Sequence, residues 1–351
     1  MIRVLVIDDS ALVRQALTSE LSKAADIEVV GAAPDPYVAR TMIAELKPDV
    51  LTLDIEMPRM DGLTFLSKLM EHHPLPVIVL SSLSARGSQT ALEALSRGAV
   101  EVLHKPSAAY SLDKLGADLC ERVRIASTAR VSAIEAPKEG KALSMAETTN
   151  RVITIGASTG GTTVVEQLLK PLPPNCPPIV IVQHMPLGFT KPFAEQLDKA
   201  SRVRVREAYD GATLAPGMAW VAPGDRHVEI RRSGARYLLK LNDSDPVSGF
   251  RPSVDVLFRS SAKYVGANGV GVLLTGMGRD GAEGMLEMRG AEAHTIAQDE
   301  ATSVVFGMPK EAILLGAAKE VQPAEKIAEA MLSAAAEPNH CPSLQPTEAP
   351  T

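Results

Sequence analysis

Short, mostly apolar runs recur along this chain, and most of them stop at a residue able to hold charge or move a proton. Ile2 to Ile7 runs into Asp8-Asp9, Val50 to Leu53 into Asp54, Val77 to Leu80 into Ser81, and Val100 to Leu103 leads to Lys105-Pro106. Further on, Arg151 to Ile155 leads to Ser158, Ile179 to Val182 to His184, and Val270 to Leu274 to Asp280. Runs this short and this apolar read as parallel strands covered on both faces. Between them lie apolar residues at helical spacing, for example Leu12, Val13, Ala16, Leu17 and Leu21 after Ser10, which caps that helix. Strands alternating with helices build doubly wound parallel sheets, and chemistry gathers at the carboxyl ends of their strands. At 351 residues the chain is too long for one ordinary core. The fold class is therefore α/β, with two doubly wound parallel-sheet domains.

Composition narrows the function. Apolar content of 45% and charged content of 22% belong to a globular protein in water, and a net charge of −6 argues against a general nucleic-acid binder. Three widely spaced cysteines (Cys120, Cys176, Cys341) form neither a disulfide framework nor a zinc pattern. The opening residues read as a strand rather than a signal peptide, and no apolar run approaches the roughly 20 residues that span a bilayer. The reading is a reducing, cytoplasmic protein.

In the first third, five strands alternate with five helices. Asp8, Asp9, Asp54, Ser81 and Lys105 all fall at strand ends. Three carboxylates brought together repel unless a cation sits among them, and hard oxygen ligands suit Mg²⁺. This set resembles the receiver domain of two-component response regulators, over residues 1 to about 122. The resemblance implies a flavodoxin-like fold in which Asp54 takes a phosphoryl group. It implies Mg²⁺ held by Asp8, Asp9, Asp54 and the carbonyl of Glu56, with Ser81 and Lys105 as the hydroxyl and ammonium that close on the phosphoryl group. Many receivers carry a switching aromatic three residues before the lysine; that position is Val102 here, which speaks against an aromatic switch. From about Ala126 to Thr149 the apolar period dissolves into polar residues, so residues 123–149 read as a linker.

In the second part, Gly156-Ala157-Ser158-Thr159-Gly160-Gly161 follows a strand and precedes a helical pattern (Val164, Val165, Leu168, Leu169). This glycine turn has three readings. A phosphate loop would need a lysine where Thr162 stands. A plain helix cap needs nothing more. A nucleophile elbow would lift the Ser158 hydroxyl off a strand end beside the free N–H groups of a helix start. His184 and Asp280 follow strands of the same parallel type, so the three side chains can converge as a nucleophilic set. The chain order Ser, His, Asp differs from that of α/β-hydrolases. Asp255, in Arg251-Pro252-Ser253-Val254-Asp255, competes with Asp280 for the acid's place, although its helical flanks suit a first-turn carboxylate. Gly276-x-Gly278-x-x-Gly281, with Asp299 about 20 residues on, imitates a dinucleotide fingerprint, but Asp280 would then face a pyrophosphate. Leu214 to Gly217 and Val221 to Gly224 read as turns in a hairpin-rich insert reaching Leu238.

Gly-Ala-Ser158-Thr-Gly-Gly, Gln-His184-Met, Arg251-Pro-Ser-Val-Asp and Leu-Thr-Gly-Met277-Gly-Arg-Asp280-Gly-Ala together resemble the chemotaxis protein-glutamate methylesterases, from residue 1 to about 337. The resemblance implies a serine esterase with Ser158, His184 and Asp280 as its triad and the backbone N–H of Met277 in the oxyanion hole. It implies an α/β methylesterase domain over 150–337, with the hairpin insert, and no cofactor for ester hydrolysis. Methylated glutamates of membrane chemoreceptors are the implied substrate, receptor glutamines a second one, and a chemotaxis histidine kinase the phosphodonor. Two other readings use the same residues: a non-enzymatic regulator in which Ser158 only caps a helix, and a nicotinamide-dependent oxidoreductase built on Gly276 to Asp299. Ala324 to Ala335 reads as a last helix and residues 338–351 as a disordered tail.

Overall fold

The computed structural model describes residues 1–81, 85–105, 112–131, 142–145 and 150–336. The first sheet is built from β1 (Ile2–Ile7), β2 (Ile27–Ala33), β3 (Val50–Asp54), β4 (Val77–Ser81) and β5 (Glu101–His104). Helices α1 (Ala11–Leu21), α2 (Pro36–Leu46), α3 (Gly62–His72), α4 (Ala85–Ser96) and α5 (Leu112–Ser127) connect the strands and close the layer. The strand order is β2-β1-β3-β4-β5, all parallel. That is the doubly wound, flavodoxin-like order expected from the alternating runs. Local chemistry sets the helix starts. Ser10 Oγ accepts from Val13 N at 3.4 Å, Asp35 Oδ1 from Tyr37 N at 2.9 Å with Pro36 at the first helical position, and Asp61 Oδ1 from Thr64 N at 2.8 Å.

The second sheet has seven parallel strands in the order β14-β13-β12-β6-β7-β9-β8. In chain order its elements are β6 (Val152–Ala157), α6 (Gly161–Leu169), β7 (Ile179–Gln183), α7 (Thr190–Ala200), β8 (Arg204–Glu207) and β9 (Met218–Val221). A hairpin, β10 (His227–Ser233) with β11 (Arg236–Asn242), then leads into α8 (Val254–Tyr264). The chain returns through β12 (Gly269–Leu273), α9 (Ala282–Gly290), β13 (His294–Gln298), α10 (Met308–Leu314), β14 (Glu320–Gln322) and α11 (Ala324–Ala336). The insert is smaller than the turn signals imply. Met218–Val221, between the two Pro-Gly turns, pairs in parallel with β7 and β8 as part of the main sheet, so only β10 and β11 form a separate hairpin. Alternation alone could not separate an edge strand from a hairpin strand, because both are short and flanked by turns.

β6 lies at the middle of the second sheet, between β12 and β7. The carboxyl ends of these three strands are therefore neighbours, and the residues that follow them meet above one edge. α5 continues to Ser127, past the boundary read at residue 122. Within the linker, Leu143 N donates to Pro171 O and Arg130 N to Val304 O, so its described parts lie against the second sheet's layer. The rest of the linker and the tail over 338–351 lie outside the described residues. The two layers touch: α4 packs on α6 and α7, and one apolar cluster runs from Leu95, Ala99 and Val102 to Val164 and Phe189.

Candidate active site

The Ser158 turn is shaped by close packing. Gly160 has φ +74°, and a Cβ there would sit 2.5 Å from the Val304 side chain, so only glycine fits both the backbone and the space. α6 starts at Gly161 with no side-chain cap, and its Gly161 N–H donates to Ser158 O at 2.8 Å. Thr275, after β12, ties the turn to its neighbour: Ser158 N donates to Thr275 O at 3.0 Å, and Thr275 Oγ1 donates to Thr159 O at 3.0 Å. Gln183, at the end of β7, donates through Nε2 to Ser158 O at 2.8 Å. A Cβ on Gly276 would lie 2.6 Å from Ser158 Cβ, so the backbone just before Met277 passes directly against the serine. Among the described residues the N–H groups of Met277 and Thr159 have no hydrogen-bond acceptor.

His184 follows β7, and its Nε2 lies 2.8 Å from Asp280 Oδ2. An ionised carboxylate only accepts, so Nε2 carries the proton and Nδ1 holds the lone pair. Nδ1 is buried without a hydrogen-bond partner among the described residues, and His184 and Ser158 line one small cavity. Asp280 is fully buried. Burial pushes its pKa up, but the hydrogen bond and charge of His184 and the hydrogen bonds of Ser253 and Val254 outweigh it, so the carboxyl sits below its ordinary value. Ser253 Oγ donates to Oδ1 at 2.7 Å, Val254 N to Oδ2 at 2.7 Å and Asp255 N to Oδ1 at 3.1 Å. These are the first groups of α8, so Asp280 caps that helix from outside and sits at its positive end.

Asp255 takes a different part. It accepts from Gly284 N at 2.7 Å, capping α9 in return, and burial raises its pKa. The two helices are thus capped reciprocally, and only Asp280 touches the imidazole. This also disposes of the dinucleotide reading of the loop: the Asp280 carboxylate points at His184 and α8, and Asp299 Oδ1 caps its own turn by accepting from Thr302 N and Oγ1. Phe250 stacks on the His184 ring, centroids 3.9 Å apart and planes 6° from parallel. No pattern in the sequence points to Phe250, and Ser253 stands in the Arg251-Pro-Ser-Val-Asp motif with no role that the sequence assigns.

The cavity at Ser158 is also lined by Leu95, Val100, Glu101 and Val102 of the first layer. Glu101 Oε2 accepts from Thr159 Oγ1 at 2.8 Å and pairs with Arg122 at 3.3 Å. His104 meets Phe189 at 4.8 Å between ring centroids. Ser158 is 4% exposed. Val102, at the position where an aromatic switch would stand, is buried and borders this cavity.

At the first sheet's edge, Asp8, Asp9 and Asp54 offer carboxylate oxygens within 4.8 Å of one another. Lys105 Nζ bridges Asp54 Oδ2 at 2.7 Å and Asp8 Oδ2 at 3.0 Å. Burial pushes the Asp54 pKa up and outweighs the Lys105 ammonium, and the Asp8 charge adds to the rise. For Lys105 burial acts downward, and the two carboxylates outweigh it and raise its pKa. Glu56 lines a small cavity with Asp54, Ser81 and Lys105, its N–H donating to Asp54 Oδ1 at 3.1 Å, and the Ser81 hydroxyl donates to Gly87 O at 2.9 Å. Three carboxylates this close together suit a divalent cation with oxygen ligands.

A serine, a histidine and a capped aspartate on one edge of a parallel sheet, joined to a receiver-type sheet, define an α/β hydrolytic enzyme under a signalling layer. Comparison with known proteins agrees. Residues 153–331 match the family model described as CheB methylesterase, and residues 4–115 that of the response regulator receiver domain. A protein-glutamate methylesterase/protein-glutamine glutaminase of Syntrophus aciditrophicus (strain SB) is 53% identical over 334 residues, covering 93% of this chain and 97% of the relative. One of Salmonella typhimurium is 51% identical over 340 residues, with 95% and 96% covered. The crystal structure of the Thermotoga maritima CheB methylesterase catalytic domain aligns with a TM-score of 0.51 and 41% identity, covering 52% of this chain and 97% of that one. The chain belongs to the CheB methylesterase family, with an N-terminal receiver.

Proposed function

We propose that the protein is a phosphorylation-regulated serine esterase of bacterial chemotaxis that hydrolyses glutamate methyl esters on chemoreceptors to glutamate and methanol and deamidates receptor glutamines. The activities are those in the names of its relatives. The observation that carries the assignment to residues is the His184–Asp280 hydrogen bond, with the free Nδ1 sharing a cavity with Ser158. His184 Nδ1 takes the Ser158 proton as Oγ attacks the ester carbonyl. The Met277 N–H stabilises the oxyanion, His184 returns the proton to the leaving methoxide, and methanol departs. Water, activated by the same nitrogen, then releases the acid. Asp280 holds the tautomer and offsets charge on the imidazolium.

Control belongs to the first layer. Residues 1–122 act as the receiver, 123–149 as the linker and 150–337 as the esterase domain. Asp54 accepts a phosphoryl group from a histidine kinase, with Ser81 and Lys105 contacting it. Mg²⁺ held by Asp8, Asp9, Asp54 and the Glu56 carbonyl would offset charge on the phosphoryl oxygens. The unphosphorylated layer covers Ser158 through Leu95, Glu101 and Val102, and phosphorylation loosens that cover. Among the described residues no helix is long and apolar enough to cross a membrane. We place the protein in the cytoplasm, where it meets the cytoplasmic helices of its receptors.

The test is Ser158→Ala. Methanol release from methylated receptor membranes should fall to background while Asp54 still takes up phosphate. Retained hydrolysis would end the assignment of Ser158.

A further inference from the structure

The Asp280 hydrogen bond fixes only one edge of the His184 ring. A ring held at Nε2 alone can still swing, carrying Nδ1 along an arc. The ring stacked on its face is Phe250, at 3.9 Å and 6°. Phe250 is presented by a tight turn. Val247 and Phe250 exchange backbone hydrogen bonds of 3.1 and 2.9 Å, and Ser248 and Gly249 between them have φ of 54° and 82°. Two left-handed residues at the centre of a two-residue turn make the tightest hairpin connection available. The next residue, Arg251, is clamped: its guanidinium reaches Asp225 Oδ1 at 2.6 Å, Asp243 O at 3.1 Å and Ser244 O at 3.2 Å. Two residues later Ser253 donates to Asp280. One short segment therefore braces the imidazole from its face and the carboxylate from behind. Phe250 does not line the cavity shared by His184 and Ser158.

We infer that Phe250 is a positioning residue for ester hydrolysis, which holds the His184 plane so that Nδ1 stays aligned for the Ser158 proton. It acts through His184, and the inference rests on the triad reading above. A stacked aromatic face also favours the imidazolium that forms when the proton moves. Small misalignments of a proton-transfer pair are costly, so the effect belongs in kcat rather than in substrate binding.

The experiment uses the full chain, phosphorylated, acting on methylated receptor membranes, with Phe250→Leu, Phe250→Trp and Ser158→Ala in parallel. Phe250→Leu keeps an apolar side chain but loses the flat face. It should lower kcat roughly tenfold with KM within about twofold, and slow phosphonate labelling of Ser158 to a similar degree. Phe250→Trp should restore both to within about threefold of wild type. A Leu variant with wild-type kcat overturns the inference. So does a rise in KM alone, which would make Phe250 a substrate contact, or a Trp variant no better than Leu. A Leu variant with a lowered melting temperature is judged by the Trp rescue. If Ser158→Ala instead remains active or is still labelled, the triad reading fails rather than this one.

Discussion

The two sheet edges solve opposite electrostatic problems. At the first, Asp8, Asp9 and Asp54 crowd together, Lys105 pairs with Asp8 and Asp54, and burial pushes the Asp54 pKa up. At the second, one buried carboxylate receives donors from His184, Ser253 Oγ and two N–H groups of α8, and its pKa falls below the ordinary value despite burial. The first edge is short of positive charge and suits an arriving cation and phosphoryl group. The second is already neutralised by its own scaffold. Both stand at the carboxyl ends of parallel strands, so the architecture supplies the place and the neighbouring groups decide the chemistry.

The largest test of this contrast removes the charge at the second edge. Asp280→Asn keeps one acceptor for the α8 N–H groups but presents an amide to His184. By analogy with other serine triads, esterase turnover should drop on the order of 10⁴-fold. Asp255→Asn, which does not touch the imidazole, should stay within about tenfold of wild type in the same methanol-release assay. Equal losses would mean that helix capping, not His184, is what Asp280 serves.

A smaller effect is expected where the two layers meet. Glu101→Ala removes the acceptor of Thr159 Oγ1 and leaves Arg122 paired with Asp118. One hydrogen bond of this kind is worth about 0.5–1.5 kcal/mol net. Basal phosphonate labelling of Ser158 in the unphosphorylated protein should therefore rise about two- to tenfold. Labelling unchanged from wild type would remove Glu101 from the cover over Ser158.

The smallest effect concerns the first edge itself. Because burial raises the Asp54 pKa in the folded protein above the ordinary carboxylate value, the folded state binds that proton more tightly than the unfolded chain does. Its contribution to stability is present below the ordinary carboxylate pKa and is lost as pH rises through the higher folded value, so at neutral pH the ionised carboxylate is a burden. Asp54→Asn leaves Lys105 paired with Asp8. Urea unfolding at pH 7 should show the variant more stable than the wild type, with phosphorylation lost. A destabilised variant would show that Lys105 depends on Asp54 rather than the reverse.

The linear pattern carried the strands, their parallel sense and the residues at their ends, because each run of Ile, Val and Leu must be covered on both faces. It pointed to Ser158, His184 and Asp280 because each follows such a run. It could not assign β9 to the main sheet, since a short strand between two turns has the same pattern in a hairpin. Nor could it find Phe250 or Glu101, or the part Ser253 plays, since these arise from contacts between segments far apart in the chain.

By itself, then, the sequence determined the two parallel sheets, the family, and which polar residues stand at strand ends, because local periodicity and turn chemistry dictate these. The tertiary structure alone decided that Asp280 rather than Asp255 meets the imidazole, that Phe250 covers its face, and that Glu101 reaches Thr159. Each of those choices depends on how a helix end or a loop docks against another segment, and docking is set by packing in three dimensions rather than by spacing along the chain.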